Sequence, residues 1–120
     1  MLKTSDIIWQ DAQHQVLFEI LDLIREPDAG SGMILRLRDY TENHFALEEL
    51  YMQRTGFPGR DEHVRAHDRF RLEVAELMGD SEPDALEREI IATFLTEWLK
   101  RHVFGIDKEL EAFLAASELK

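Results

Sequence analysis

The sequence predicts an all-α fold: an antiparallel up-down-up-down four-helix bundle with a short C-terminal helix, forming one domain over residues 1–120. Three observations lead there. Apolar residues recur at three- and four-residue steps through four separate stretches, the signature of amphipathic helices. Clusters of Gly and Pro separate those stretches, so the connections are short and successive helices should pack antiparallel. No segment alternates apolar and polar residues with period two for long enough to make a strand.

The first helix carries His14, Leu17, Phe18, Leu21 and Ile24, preceded by the apolar lead-in Ile7-Ile8-Trp9. Asp11 is the expected N-cap, its side chain accepting a backbone N–H two or three residues on. The run Pro27-Asp28-Ala29-Gly30-Ser31-Gly32 ends this helix. The second follows the stripe Met33, Leu37, Tyr40, His44, Leu47/Glu48 and Tyr51, and stops at Gly56-Phe57-Pro58-Gly59. The third repeats the rhythm with His63, His67, Phe70, Val74 and Leu77 and stops at Gly79-Asp80-Ser81-Glu82-Pro83. The fourth runs through Leu86, Ile90/Ile91, Phe94/Leu95, Trp98 and His102, all assigned to its inward side. Gly105 breaks it, and Asp107 opens a short last helix with Leu110, Phe113 and Leu114.

At 120 residues the chain supports one core. A formal net charge of −11 argues against nucleic acid and anionic lipid as partners, since both would be repelled. With no cysteine there are no disulfides, thiolate metal sites or cysteine-ligated clusters. Met1–Asp6 shows no signal-peptide pattern, and no apolar run approaches the roughly 20 residues that span a bilayer. The expectation is a cytoplasmic protein without a membrane partner.

All 5 histidines, His14, His44, His63, His67 and His102, fall on core-facing stripes. Residues four apart share a helix face, so His44 with Glu48, and His63 with His67, can each grip one metal. Asp107 follows His102 by five residues. Glu49 lies about 100° further round the helix than Glu48 and is expected to face away. Any one histidine alone reads more simply as a surface or hydrogen-bonded core residue. Five buried imidazoles with two buried carboxylates would be costly unless something met their polar atoms, and a metal does so. Imidazole suits zinc, copper, iron or nickel, while carboxylates often bridge. If two six-coordinate ions share Glu48, Asp107 and one solvent oxygen, five imidazoles leave a single position open. The Glu-x-x-His pairs of carboxylate-rich di-iron bundles are absent at these histidines, as is the His-Glu-x-x-His of zinc proteases.

Trp9, Asp11-Ala12-Gln13-His14, His44-Phe45-Ala46-Leu47-Glu48-Glu49, His63-Val64-Arg65-Ala66-His67 and Trp98-Leu99-Lys100-Arg101-His102-Val103-Phe104-Gly105-Ile106-Asp107 together resemble the haemerythrin family, most closely its single-domain bacterial form. The resemblance covers residues 9 to 114, and every ligand position of the family pattern holds the expected residue type in order. It implies two iron ions (Fe2+/Fe3+) with an oxo or hydroxo bridge. His63, His67 and His102 would hold the coordinatively saturated iron, His14 and His44 the iron with the vacant position, and Glu48 and Asp107 would bridge them. Leu17, Phe45, Trp98, Leu99 and Val103 match positions lining the family's apolar oxygen pocket, although core packing explains Leu17 and Leu99 equally well. The implied function is reversible binding of dioxygen for carriage, storage or delivery, without catalysis. A protein partner for oxygen delivery or signalling, an oxygen or redox sensor, and a di-iron peroxidase or nitric-oxide-handling enzyme remain as alternatives. The arm before Asp11 is shorter than is usual in the family, which implies a less covered bundle end and faster autoxidation.

Overall fold

A computed structural model describes residues 3–26, 32–78 and 83–117. They form five helices: α1 (Ile8–Ile24), α2 (Gly32–Thr55), α3 (Arg60–Met78), α4 (Ala85–Val103) and α5 (Ile106–Ala115), and no strand is found among the described residues. Side-chain pairs fix the direction of each helix. Gln10 and His14 of α1 meet Glu48 and His44 of α2. Phe45 and Glu49 of α2 meet Phe70 and His67 of α3, while His63 and Phe70 of α3 meet His102 and Trp98 of α4. In each pair the earlier residue of one helix faces the later residue of the next, so the four long helices alternate in direction. Arg25 of α1 reaches Thr96 of α4 and closes the bundle.

The helix ends follow from local chemistry. Gly56 at φ 68° ends α2 in the left-handed region, where the Phe57 N–H donates to the Met52 carbonyl at 3.0 Å. Asp84 caps α4 by accepting from the Glu87 N–H at 2.8 Å. Gly105 separates α4 from α5; a Cβ there would stand 2.6 Å from the Arg101 carbonyl oxygen, so only glycine fits. The breaker residues 27–31 and 79–82 lie outside the described residues.

Two expectations need correction. The cap of α1 is Ile7 in an extended conformation, not Asp11. Asp11 sits inside the first turn, and its carboxylate accepts from the Thr4 N–H at 2.7 Å, the Thr4 hydroxyl at 2.9 Å and the Gln15 amide at 3.2 Å. It ties the arm across the helix instead of starting it. The inward side of α4 is Ile91, Leu95, Leu99 and His102, whereas Leu86, Ile90 and Phe94 are exposed. Their i, i+4, i+8 spacing defines a second apolar stripe, on the solvent side of the helix.

The buried apolar residues form two clusters. One contains Leu17, Phe45, Phe70, Leu99 and Val103; the other contains Ile7, Met52, Leu110 and Leu114. Along α1 the order is Ile7, His14, Leu17; along α2 it is Phe45, Glu48, Met52. The histidines and buried carboxylates therefore occupy a polar layer between two dry ones.

Candidate metal centre

All five helices contribute to this layer: His14 from α1, His44 and Glu48 from α2, His63 and His67 from α3, His102 from α4 and Asp107 from α5. None of the seven is more than 4% exposed. They fall into two groups. Glu48, His63, His67, His102 and Asp107 offer ligand atoms all within 4.8 Å of one another, and so do His14, His44, Glu48 and Asp107.

Both carboxylates belong to both groups, one oxygen to each side. Asp107 Oδ1 lies 2.9 Å from His63 Nε2 and 3.0 Å from His102 Nε2, while its Oδ2 lies 3.0 Å from His14 Nε2. Glu48 Oε1 lies 3.1 Å from His67 Nε2 and 3.5 Å from His63 Nε2, while its Oε2 lies 3.6 Å from His44 Nε2. Gln10 donates to that Oε2 at 2.9 Å.

Several of these atoms complete no hydrogen bond despite their short separations: Nε2 of His14, His63, His67 and His102, Glu48 Oε1, and both Asp107 oxygens. They converge on shared gaps instead of on one another. Buried polar atoms left in that state cost about 1–3 kcal/mol each, and more when charged. Cations placed among them remove the penalty, so the donor set fits a pair of metal ions bridged by two carboxylates.

The electrostatics agree. Burial and the Asp107 charge push the Glu48 carboxyl up, but the adjacent imidazoles of His44, His63 and His67 outweigh them and hold it below its usual range. Burial acts the same way on Asp107, and His102, His14 and His63 overcome it. Both side chains are therefore anionic. Burial lowers the His44 imidazole to about 4 against the pull of Glu48, which keeps it neutral and ready to donate a lone pair.

The outer nitrogens fix how the rings point. His14 Nδ1 meets the Thr4 hydroxyl at 2.9 Å, His44 Nδ1 meets Gln13 Oε1 at 2.6 Å, and His67 Nδ1 meets Glu49 Oε2 at 2.8 Å. Each contact turns Nε2 inward, the usual device for orienting an imidazole ligand. Arg71 steadies Glu49 at 3.2 Å and is itself held by Glu42 and Asp68. Glu49 thus turns away from the centre of the layer, as its position implies, yet its carboxylate reaches His67 from outside. Sequence reasoning missed Thr4, Gln10, Gln13, Glu49 and Arg71 as supports. Only Gln10 carried a signal, being four residues before His14 on the same face.

Phe45 stacks on His67 with ring centres 3.7 Å apart, and Trp98 stacks on His102 at 4.9 Å. Leu17, Leu99 and Val103 are buried in the adjoining apolar cluster, at most 1% exposed. Part of the segment before α1 is buried as well: Thr4 and Ser5 are at most 2% exposed, and Ile7 packs in the second apolar cluster, while Lys3 and Asp6 stay exposed.

Comparison with known proteins gives the same family from an independent direction. The Hemerythrin HHE cation binding domain family matches residues 6–114. The chain is 36% identical over 97 residues to a myohemerythrin of Riftia pachyptila, covering 81% of this chain and 76% of that protein. It is 33% identical over 98 residues to hemerythrin subunit 1 of Golfingia vulgaris, covering 81% and 75% respectively. It is also similar to a bacteriohemerythrin of Stenotrophomonas maltophilia, 29% identical over 118 residues, covering 85% and 77%. No solved structure matches the chain. The buried layer of five histidines and two shared carboxylates, on a bundle matched over nearly its whole length, makes this chain a member of the hemerythrin family.

Proposed function

We propose that this chain is a non-haem di-iron protein that binds dioxygen reversibly, as a carrier or store and not as a catalyst. The observation that carries the reading is the unequal division of the imidazoles around two shared carboxylates, three on one side and two on the other. Two iron ions held there would supply a reversible two-electron exchange with dioxygen. His63, His67 and His102 would saturate one position together with Glu48 and Asp107. His14 and His44 leave the other a ligand short, which is where dioxygen would enter.

The remaining residues keep the exchange reversible. Leu17, Phe45, Leu99 and Val103 line the layer with apolar surface and limit water and proton access. Trp98 stacks on the outer side of His102. Thr4, Gln13 and Glu49 hold three of the rings at fixed tilt. Iron, among the first-row metals that imidazole accepts, follows from family membership.

Loading the chain with ferrous iron under anaerobic conditions tests the proposal. Two irons per chain are expected, with a visible charge-transfer band that appears on admitting oxygen and fades on removing it. Irreversible oxidation on first exposure would overturn the carrier reading. Glu48→Ala and His102→Ala are expected to lower iron occupancy, and full occupancy in both would overturn the ligand assignment.

A further inference from the structure

Outside the metal layer and bordering it at His102, α3 and α4 share an outward face whose chemistry changes from one end to the other. On α3, Arg65, Arg69, Leu72 and Glu76 follow one another at steps of four, three and four residues, a single exposed stripe. On α4, Glu87, Ile90, Phe94 and Arg101 form the matching stripe, also exposed. Because the two helices are antiparallel, both stripes run basic to apolar to acidic in the same spatial direction.

The apolar middle is large for a surface. Leu72 is 60% exposed, Ile90 59%, Phe94 41% and the neighbouring Leu86 67%. Single exposed apolar residues are ordinary, but Leu86, Ile90 and Phe94 line one shared surface on α4 while Leu72 lines the groove with Trp98, which marks an interaction surface. At the basic end a groove of about 640 Å³ runs between the helices, lined by Arg65, Asp68, Arg69, Leu72, Trp98 and Arg101, with Asp68 paired to Arg71. Arg65, Arg69 and Arg101 make no ion pair among the described residues, on a chain of net charge −11. At the other end Glu76 and Glu87 are likewise without a cationic partner among the described residues.

A face graded in this way is complementary to itself when turned end over end. A two-fold interface requires that property, because each residue meets its counterpart's neighbour on an identical surface. From Glu87 to Arg101 the α4 stripe is about 21 Å long at about 1.5 Å per residue. A two-fold axis beside Phe94 sets residues equally far from Phe94 opposite each other. Ile90 of one copy then meets Trp98 of the other, Glu87 meets Arg101, and Phe94 meets its own copy. On α3 the same axis sets Arg69 beside Glu76 of the other copy. A uniformly acidic surface would repel its copy; this face replaces that repulsion with paired opposite charges.

We propose that the chain forms a two-fold dimer through this α3–α4 face, with α4 antiparallel to α4 of the second copy. The dimer seals the groove over Trp98, and with it the flank of the metal layer behind His102.

The test is the solution mass of the full, metal-loaded chain by light scattering, from micromolar to millimolar concentration. The expected mass rises to twice the 14.1 kDa of one chain. Ile90→Glu is expected to give the single-chain mass with unchanged helicity. Arg101→Glu is expected to do the same, and adding Glu87→Arg to Arg101→Glu restores the dimer by swapping the charges. A single-chain mass for the natural sequence throughout the range overturns the proposal and leaves the face for a different protein. A dimer that survives Ile90→Glu, or a charge swap that fails to restore association, overturns it equally.

Discussion

Glu49 sits outside the metal layer, yet its carboxylate fixes the tilt of His67 through Nδ1 at 2.8 Å. Arg71 holds Glu49 in turn. Glu49→Ala frees the ring without removing a ligand atom, so the loss should fall on affinity, not on ligand number. Such outer contacts are worth about 10–100-fold in metal affinity. Competition with a chromophoric chelator should show a loss of that size with helicity unchanged. Equal affinity would mean that stacking on Phe45 alone orients His67. His63 bears on the pH dependence. Burial alone would lower its pKa, but the adjacent carboxylates of Asp107 and Glu48 push it up to about 9 in the metal-free chain. A pKa raised above the unfolded value contributes stability that is fully present below about pH 6.5 and is lost as pH rises through about 9. Metal needs that imidazole neutral, so uptake near pH 7 should release a proton, and affinity should rise with pH towards 9. Calorimetric titration in buffers of different ionisation enthalpy measures the proton released; a heat independent of buffer contradicts the prediction.

At the scale of the element, Gly105 joins two residues of the proposed metal site. It stands between His102 at the end of α4 and Asp107 in the first turn of α5, and its backbone passes close to the Arg101 carbonyl. In Gly105→Ala the added methyl must displace that backbone, at about 1–3 kcal/mol. The displacement tilts α5 and moves Asp107, so thermal stability and metal occupancy should fall together. A variant that loses stability but fills both metal positions would show that α5 adjusts without carrying Asp107 away. The N-terminal arm makes a comparable prediction. Thr4→Val leaves the Asp11 carboxylate and His14 Nδ1 each without a hydroxyl partner, and should shorten the lifetime of the oxygenated form. An unchanged lifetime would separate that lifetime from the arm.

Legibility from sequence also divides by element. The stripes of α1, α2 and α3 pointed inward as their 3–4 spacing implies, because each had one apolar side. α4 has two, and spacing alone could not tell Ile90 from Ile91; only packing against α1 and α3 decides which is inside. The burial of His14, His44, Glu48, His63, His67 and His102 was readable because a helix places residues four apart on one face and the stripes face the core, whereas Asp107, beyond Gly105 on α5, lies on no such stripe. Their outer partners were not readable. Thr4 and Gln13 meet their imidazoles across a loop or between helices, over 10 and 31 residues of sequence, and local periodicity carries no information at that range. Asp11 misled for a related reason: it has the right side chain for a cap, and the long-range contact to Thr4 claimed it first.

For the whole molecule, the polar layer lies between the two apolar clusters and interrupts the core at mid-height. Seven buried polar side chains there cannot be satisfied by one another, since the carboxylates split their oxygens between two groups of rings. Without metal the bundle must therefore either hold those atoms unpaired or take up protons and water among the rings. Both alternatives weaken the contact of α5 with the rest, because Asp107 is its buried polar anchor. Binding that is confined to the folded state adds stability by mass action, about 4 kcal/mol at a thousand times the dissociation constant for each independent site. For a chain of this size 1 kcal/mol corresponds to about 4 °C in melting temperature. Removal of both metals should therefore lower the melting temperature by at least about 15 °C. Hydrogen exchange should then rise first in α5 and the arm, which are joined to the bundle through the polar layer and the smaller cluster, while the centres of α1 and α2 stay protected. Differential scanning calorimetry with and without metal, paired with exchange mapping, checks both. An equal rise in exchange along all helices would mean that the metal layer stabilises the bundle as one cooperative unit, with no weaker end.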